Sequence, residues 1–218
     1  VVADVVKNHP TVEAYGFDKL VSYIAIAKIY NDLSEGKITF EAKDIFELGL
    51  DEDNGRRFDK IFANYPFGMR IKELGLGNQY LEQLEKRIPS VSKATSSDWL
   101  FNSVMVDMLS EDGKAVGIMT NGSTWNQSDS AIRSYFIENG LIECVIALPA
   151  RLFAGTAIAT SMIVFSRNNK GVRLVDASEL FVEGRRVNEL SYENISLIIN
   201  ATKSDSDISM YVSAEQLR

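Results

Sequence analysis

The sequence predicts an α/β protein whose mostly parallel sheet is flanked by helices, and three observations lead to this fold class. Strand-like runs alternate with helix-like runs along the chain, as in sheets whose parallel strands are joined by helical crossovers. The first three strands each finish at a polar residue, namely Asp18, Asp44 and Asn64. Two later helices start at Ser or Asp and stop at Gly, which are common signals for helix ends.

The first part of the chain contains three predicted strands and one long helix. Residues 12–17 form the first strand, and apolar residues at near-helical spacing predict a helix over residues 20–33. Residues 37–42 form the second strand. Residues 58–64 form the third strand, and its apolar centre favours a strand that is covered on both faces.

A polar segment with several Gly and Pro residues follows, over residues 68–97. Its composition predicts a long loop with one short helix at residues 80–87. Loops of this length in a compact domain are more often functional than idle.

The second half of the chain is predicted to contain two helices and four strands. Ser97 is the expected N-cap of the first helix, and Gly113 follows its last residue. The predicted helices cover residues 97–112 and 128–140. The predicted strands cover residues 114–120, 141–149, 160–166 and 172–178. Beyond Glu179 the chain is polar apart from "ISLIIN", and "TKSDSDIS" is typical of a flexible connection.

The overall charge limits the kind of partner that the chain can bind alone. Its 218 residues are 45% hydrophobic, which is enough for a full core, and carry a net charge of −7. Phosphate binding needs clustered Lys and Arg, so an acidic chain is a poor stand-alone nucleic-acid binder. If DNA is a partner, we expect another chain to supply many of the contacts that bind it.

The cysteine and histidine content points to a reducing compartment and to a site without metal. Cys144 is the only cysteine, and its apolar neighbours indicate a buried thiol rather than a nucleophile. His9 is the only histidine, and no zinc-type ligand set is present. No apolar run reaches the roughly 18 to 20 residues that span a bilayer, and no signal-peptide pattern opens the chain. We therefore expect a cytoplasmic protein with no membrane partner.

The polar residues at the strand ends are the first candidates for a binding site. Ligands of open α/β sheets bind beyond the carboxyl ends of the strands. Asp18 is placed to accept hydrogen bonds from ribose hydroxyls, and Asp44 to accept one from an exocyclic amine. A nucleoside cofactor would explain both acids. A simpler interpretation is that Asp18 caps the following helix and that Asp44 binds no ligand, and both interpretations stay open.

The corner that ends the third strand suits a flat ring carrying an amino group. Asn64 and the next main-chain carbonyl can accept hydrogen bonds from an amine, Pro66 rigidifies the turn, and Phe67 offers an aromatic face. A nucleobase extruded from DNA is bound by this combination of edge contacts and stacking.

These four residues, Asn-Tyr-Pro-Phe, resemble the Asn/Asp/Ser-Pro-Pro-aromatic motif of the amino-group DNA methyltransferases. Tyr65 stands where that family has its first proline, so the main-chain carbonyl is kept and the ring constraint on φ is lost. Five longer segments resemble the modification (M) subunit of type I restriction-modification systems, an N6-adenine DNA methyltransferase family. The segments are residues 14–33, 58–70, 97–125, 131–167 and 172–181.

The resemblance implies a Rossmann-like fold that uses S-adenosylmethionine to methylate N6 of adenine in DNA. It implies a complex with a separate specificity subunit and a restriction subunit. The expected catalytic residues are Asn64, Tyr65, Pro66 and Phe67. The expected cofactor-binding residues are Asp18 and Asp44. We expect residues 1–181 to form the methyltransferase domain and residues 182–218 a polar C-terminal extension with a short helix.

The family's glycine-rich first motif, which wraps the methionine part of the cofactor, is absent from these 218 residues. We therefore expect an N-terminally truncated domain without its first strand, which neither binds the cofactor nor acts alone. An alternative is a non-catalytic element in the assembly of a restriction-modification complex. A nicotinamide-dependent oxidoreductase is a weaker alternative, because it requires a glycine fingerprint and leaves the Asn64 corner unexplained.

Overall fold

A computed structural model of the chain describes residues 2–34, 36–48 and 57–217. The chain divides into two compact units, Val1–Gly55 and Arg56–Arg218. Residues 49–56, between the second and third predicted strands, lie outside the described residues.

The described residues of the first unit form two parallel strands and three helices. The strands are β1 (Ala14–Asp18) and β2 (Ile38–Ala42), paired so that Asp18 lies opposite Ala42. The helices are α1 (Val2–Asn8), α2 (Val21–Leu33) and α3 (Ile45–Leu48). The two predicted strands and the long helix are therefore confirmed.

The second unit is built on a six-stranded sheet in the order β3-β4-β6-β5-β7-β8. Four of these strands, β3, β4, β5 and β7, run in one direction, and β6 and β8 run in the other. The strands are β3 (Phe58–Asn64), β4 (Leu109–Thr120), β5 (Ile142–Ala147), β6 (Thr160–Phe165), β7 (Gly171–Asp176) and β8 (Ser209–Ser213). The flanking helices are α4 (Asn78–Arg87), α5 (Ser97–Asp107), α6 (Ser130–Glu138) and α7 (Tyr192–Ala201). The predicted α/β class with a mostly parallel sheet is confirmed.

The prediction that β3 is covered on both faces is wrong. None of its seven residues is buried, and Phe62 keeps 41% of its surface exposed. The reason lies in the strand order, since β3 ends the sheet and pairs with β4 alone among the described strands. An edge position leaves an apolar strand half open where a central position would cover it.

The boundaries predicted for α5 are wrong at both ends. Its N-cap is Ser96 rather than Ser97, because the Ser96 hydroxyl accepts a hydrogen bond from the Asp98 amide. The helix ends at Asp107, and Gly113 lies inside β4. Pairing of Leu109 with Phe58 at the start of the β3–β4 ladder starts the strand earlier than local helical preference suggests. All eleven residues of α5 are buried, so this helix forms the centre of the unit.

The segment between β3 and α5 is more regular than a loop. The predicted short helix is confirmed as α4, which begins two residues earlier than expected, and Ile71–Leu74 and Val91–Lys93 form single 3₁₀ turns. An antiparallel bridge between Arg70 and Ser96 and the hydrogen bond from the Ser97 amide to the Met69 carbonyl join the start of the segment to its end.

The last part of the chain adds an unpredicted strand. β8 pairs antiparallel with β7, so the Ser/Asp-rich stretch leads into the sheet. Ile198 and Ala201 of α7 pack in one buried cluster with Cys144 and Ile146. The division of the chain at residue 181 stays a prediction.

The prediction that Cys144 is a buried thiol is confirmed. Cys144 is 3% exposed, and burial raises the pKa of its thiol to about 11, so the thiol stays protonated at neutral pH. Trp99 on α5 is 1% exposed. Among the described helices, none has the length and apolar character that crossing a bilayer requires.

Candidate active site

The corner after β3 presents Asn64 to solvent. The parallel ladder places Asn64 opposite Ile118 of β4, which fixes its main chain. The Asn64 side chain is exposed and makes no hydrogen bond to another described residue. Pro66 is also exposed, and Gly68 follows with a left-handed φ of 70° that only glycine adopts without strain. Asn64 is therefore available to a ligand.

Tyr65 points the other way, into the core. Its side chain is 6% exposed and its ring stacks on Phe101, with centroids 4.7 Å apart. The Tyr65 hydroxyl donates a hydrogen bond to Oδ1 of buried Asn102 at 2.7 Å. Burial, helped by the Asp98 carboxylate, raises the pKa of Tyr65 well above its ordinary value despite this bond. The hydroxyl therefore stays neutral and anchors the corner to α5.

We expect Tyr65→Phe to lower the free energy of unfolding by about 1 to 3 kcal/mol, because Asn102 Oδ1 would remain buried without its donor. Chemical denaturation measures the change. Tyr135→Phe is the matched control, since the Tyr135 hydroxyl makes no hydrogen bond to a described residue. Equal stability of the two variants would show that the Tyr65 hydroxyl does not anchor the corner.

Phe67 has an aromatic neighbour that the sequence analysis missed. Phe67 is half-buried and meets Phe153 edge to face, with ring centroids 5.6 Å apart. Phe153 lies in the segment between β5 and β6, inside the stretch "LPARLFAGTAIAT". The aromatic residue within this stretch was the signal available in the sequence. The two rings together form an aromatic wall beside the Asn64 corner.

An open cleft begins at Gly68, directly after the corner. Its volume is about 720 Å³, within the range of ligand sites. Its walls are formed by residues 68–72, Thr95, Ser96, Thr120, Gly122, Ser123, Trp125 and Asn126. Trp125 lines this cleft with an indole that is 72% exposed.

Buried Asp98 supports the wall of the cleft that follows β4. Its Oδ2 accepts hydrogen bonds from the Thr120 amide at 3.0 Å, the Thr120 hydroxyl at 2.7 Å and the Ser123 hydroxyl at 2.9 Å. The indole of Trp99 donates to the Ser123 carbonyl at 2.9 Å. The turn after β4 is therefore fixed from below by α5.

Buried Asp129 joins two other parts of the cleft. Its Oδ1 accepts from the amides of Thr95 at 2.7 Å and Ser96 at 3.2 Å, and its Oδ2 accepts from Asn126 Nδ2 at 2.6 Å. Because one carboxylate binds residues from both stretches, the walls that they form have a fixed spacing.

The two acids predicted to bind a cofactor lie in the first unit, at the carboxyl ends of β1 and β2. Asp18 Oδ1 accepts from the Leu20 amide at 2.8 Å, and Asp44 Oδ1 accepts from the Phe46 amide at 3.0 Å. The N-cap of α2 is Leu20, so Asp18 stabilises the turn before the helix rather than the helix itself. Each carboxylate keeps its Oδ2 free of hydrogen bonds from the described residues. Each acid can therefore stabilise its own turn through Oδ1 and bind a ligand through Oδ2.

The described residues contain no group of three His, Cys, Asp or Glu side chains that could hold a metal ion.

Comparison with known proteins gives consistent results. The chain is 23% identical over 218 residues to the type I restriction enzyme MpnII methylase subunit of Mycoplasma pneumoniae, covering 97% of this chain and 40% of that protein. It is 26% identical over 189 residues to the MjaVIII methylase subunit of Methanocaldococcus jannaschii, covering 79% of this chain and 32% of that protein. The chain thus spans less than half the length of these relatives.

A solved structure shares the fold. The type I restriction-modification methyltransferase subunit from Streptococcus thermophilus superposes with a TM-score of 0.84 at 22% identity, covering 98% of this chain and 48% of that one. Residues 3–217 match the N-6 DNA methylase family. Since this match spans almost the whole chain, the protein belongs to the N-6 DNA methylase family.

Proposed function

We propose that this chain carries the adenine-binding corner of an N6-adenine DNA methyltransferase, the modification subunit of a type I restriction-modification system. The observation that carries the proposal is the opposed orientation of Asn64 and Tyr65, since one side chain is free for a ligand and the other is fixed in the core. DNA, a specificity subunit and a restriction subunit are the proposed partners. The proposed compartment is the cytoplasm.

The corner can orient an exocyclic amine for methylation. Asn64 Oδ1 and the Tyr65 carbonyl would each accept one hydrogen bond from the adenine amino group, which directs the nitrogen lone pair away from the ring plane. Phe67 would hold the base by stacking, with Phe153 supporting Phe67 from its edge. The proton leaves the nitrogen once the methyl group is attached, so that no general base is required. The residues contribute mainly by positioning.

The cofactor implied by the family is S-adenosylmethionine, which supplies an electrophilic methyl group when bound. Asp18 and Asp44 fit the ribose hydroxyls and the adenine amine of this group. They lie at the ends of neighbouring parallel strands, and each has a carboxylate oxygen not used by the described residues. The carboxylate oxygens of Asp18 and Asp44 are hydrogen-bond acceptors, and the ribose hydroxyls and the adenine amine are hydrogen-bond donors.

The anchoring of Tyr65 favours a catalytic element over a degenerate one. Proline at this position restricts φ covalently, whereas here ring stacking and a buried hydrogen bond restrict the same residue. The direct test is transfer of tritiated methyl from S-adenosylmethionine to DNA by the enzyme assembled with its partner subunits, followed by nucleoside analysis. Label in N6-methyladenine supports the proposal, and label in a methylated cytosine would refute it.

We expect Asp18→Ala to weaken S-adenosylmethionine binding by the assembled enzyme by about 1 to 3 kcal/mol, the range for losing charge-assisted hydrogen bonds. Isothermal titration calorimetry measures the change. Asp18→Asn is a second informative variant. Its side-chain amide oxygen can still accept a hydrogen bond from the Leu20 amide, while the negative charge is lost. Asp32→Ala removes an exposed acid of the same unit and is the control. Unchanged affinity with a lower melting temperature would make Asp18 purely structural.

The 218 residues alone should show little affinity for S-adenosylmethionine and no methyl transfer. The two acids contribute about 1.5 to 3 kcal/mol each, and association costs at least about 4 kcal/mol. The sequence has no glycine-rich turn through which a main chain could approach the methionine end. A calorimetric titration that gives micromolar binding would mean that the cofactor site lies elsewhere.

A further inference from the structure

We infer that the cleft after the corner binds a single strand of DNA next to the target base, with Trp125 stacking on a neighbouring base and with Arg70 and Lys72 contacting phosphates. The inference rests on the proposed function, because it extends the substrate of the same site. Three features of the cleft carry it: an exposed indole, two cations without an ion-pair partner among the described residues, and a glycine with free space beside it.

Trp125 is exposed on a rigid support. Its amide donates to the Gly122 carbonyl at 3.2 Å, at the end of the 3₁₀ turn Asn121–Thr124. That turn is held from below by the bonds of Asp98 and Trp99 to Ser123. An indole that is 72% exposed contributes little to the core, and no described ring contacts it. A large aromatic face held firmly in solvent suits stacking on a base.

The part of the cleft wall formed by residues 68–72 carries two cationic side chains. Arg70 and Lys72 are exposed and form no ion pair with a described residue. The nearest acid in sequence, Glu73, accepts a hydrogen bond from the Arg70 amide at 2.9 Å, so that its carboxylate reduces the local charge without pairing with the guanidinium. Asp98 and Asp129 are fully buried under the cleft and bonded to its walls. The open surface of this wall therefore suits a phosphate backbone although the chain as a whole is acidic.

Gly122 leaves room for a close approach. A Cβ atom built on it meets no atom within 4 Å, and its φ lies outside the left-handed region. Neither packing nor main-chain geometry therefore requires glycine at this position. A residue without a side chain at a cleft wall lets a ligand approach the main chain.

A DNA strand fits these features better than a peptide does. Stacking faces and a basic groove are the common parts of single-strand binding sites. The cleft also begins one residue after Phe67, so a strand whose target base lies at the Asn64 corner would pass directly into it.

The two tryptophans allow a direct test on the 218-residue chain. Trp125 is exposed and Trp99 is buried, so a stacked base should quench the fluorescence of the first and leave that of the second. Titration with a single-stranded, adenine-containing oligodeoxynucleotide at low salt should quench the wild type. Trp125→Phe should lose the quenching. Trp125→Ala should weaken binding of a labelled oligonucleotide about 5- to 150-fold by anisotropy, the range for one base stack, and Tyr192→Ala, which removes another exposed aromatic, should not.

The charge and glycine variants test the other two features. Arg70→Gln and Lys72→Gln should each reduce the slope of log K against log salt by about 0.7, the value for one phosphate contact of a single strand. Lys203→Gln removes an exposed charge outside the cleft and should leave the slope unchanged. Gly122→Ala should weaken binding without lowering the melting temperature.

Three results would overturn the inference: no oligonucleotide binding by the wild type, equal quenching in Trp125→Phe, or tighter binding of an acidic peptide than of the strand.

Asn64→Ala separates this inference from the proposed function. If methyl transfer by the assembled enzyme is refuted while this variant and the wild type still bind the strand equally, only the proposed function fails. If methyl transfer occurs and the Trp125 variants bind normally, only the present inference fails.

Discussion

Asn64→Ala should reduce methyl transfer to background, a loss of at least about 10²- to 10³-fold, while S-adenosylmethionine binding stays within a few-fold of the wild type. The change removes the side-chain oxygen that would orient the adenine amine, and losses of this size follow removal of one preorganised polar group from an active site. Tritiated methyl transfer by the assembled enzyme measures activity, and calorimetry measures cofactor affinity. Wild-type turnover by the variant would contradict the proposal that Asn64 orients the adenine amine.

The effect of Asn64→Ala can be separated from unfolding. The Asn64 side chain is exposed and unbonded, so the melting temperature should not change. Asn64→Asp keeps an oxygen acceptor at the same place and should retain part of the activity. An inactive Asp variant with normal stability would indicate that the amide nitrogen, rather than the oxygen, is the important atom.

Asp98→Ala should lower the free energy of unfolding by about 3 to 5 kcal/mol, the largest stability effect that we expect. The change leaves the Thr120 amide and the hydroxyls of Thr120 and Ser123 without their shared acceptor. Hydrogen bonds to a charged group contribute about 1.5 to 3 kcal/mol each, and neighbouring bonds are not additive. For a chain of this length the loss corresponds to a fall in melting temperature of about 6 to 20 °C.

The control for Asp98→Ala is Asp112→Ala. Asp112 is an exposed acid on β4 that makes no hydrogen bond to another described residue through its side chain, so we expect a change within about 0.5 kcal/mol. Differential scanning calorimetry compares the two variants. If both lose the same stability, the Asp98 network does not support the turn after β4.

Local sequence signals predicted the elements whose boundaries depend on neighbouring residues. β3 and the corner at Asn64 were placed correctly because Asn and Pro are common signals for the end of a strand. The inward orientation of Tyr65 could also have been predicted, since successive residues of an extended chain face opposite sides. What the pattern cannot give is the partner of Tyr65, because Asn102 lies 37 residues further along the chain.

The features that were missed depend on contacts between distant segments. α5 was predicted to be longer because Met108 to Asp112 contain nothing that forbids a helix, and pairing with β3 decides otherwise. Phe153 joins the site only because the segment between β5 and β6 packs against Phe67. The exposure of β3 follows from its place in the strand order, which no periodicity encodes.

The position of β6 also constrains the order in which the sheet can form during synthesis. β6 lies between β4 and β5 and pairs antiparallel with both, so these two strands have no ladder with each other. The ribosome delivers β4 and β5 before the strand that joins them. At a synthesis rate of about 5 to 20 residues per second, about 2 to 8 s pass between the synthesis of Thr120, the last residue of β4, and that of Thr160, the first residue of β6. During this interval the edge of β4 that later pairs with β6 has no partner, and the same holds for β5 once it is synthesised, so both edges are open to intermolecular pairing.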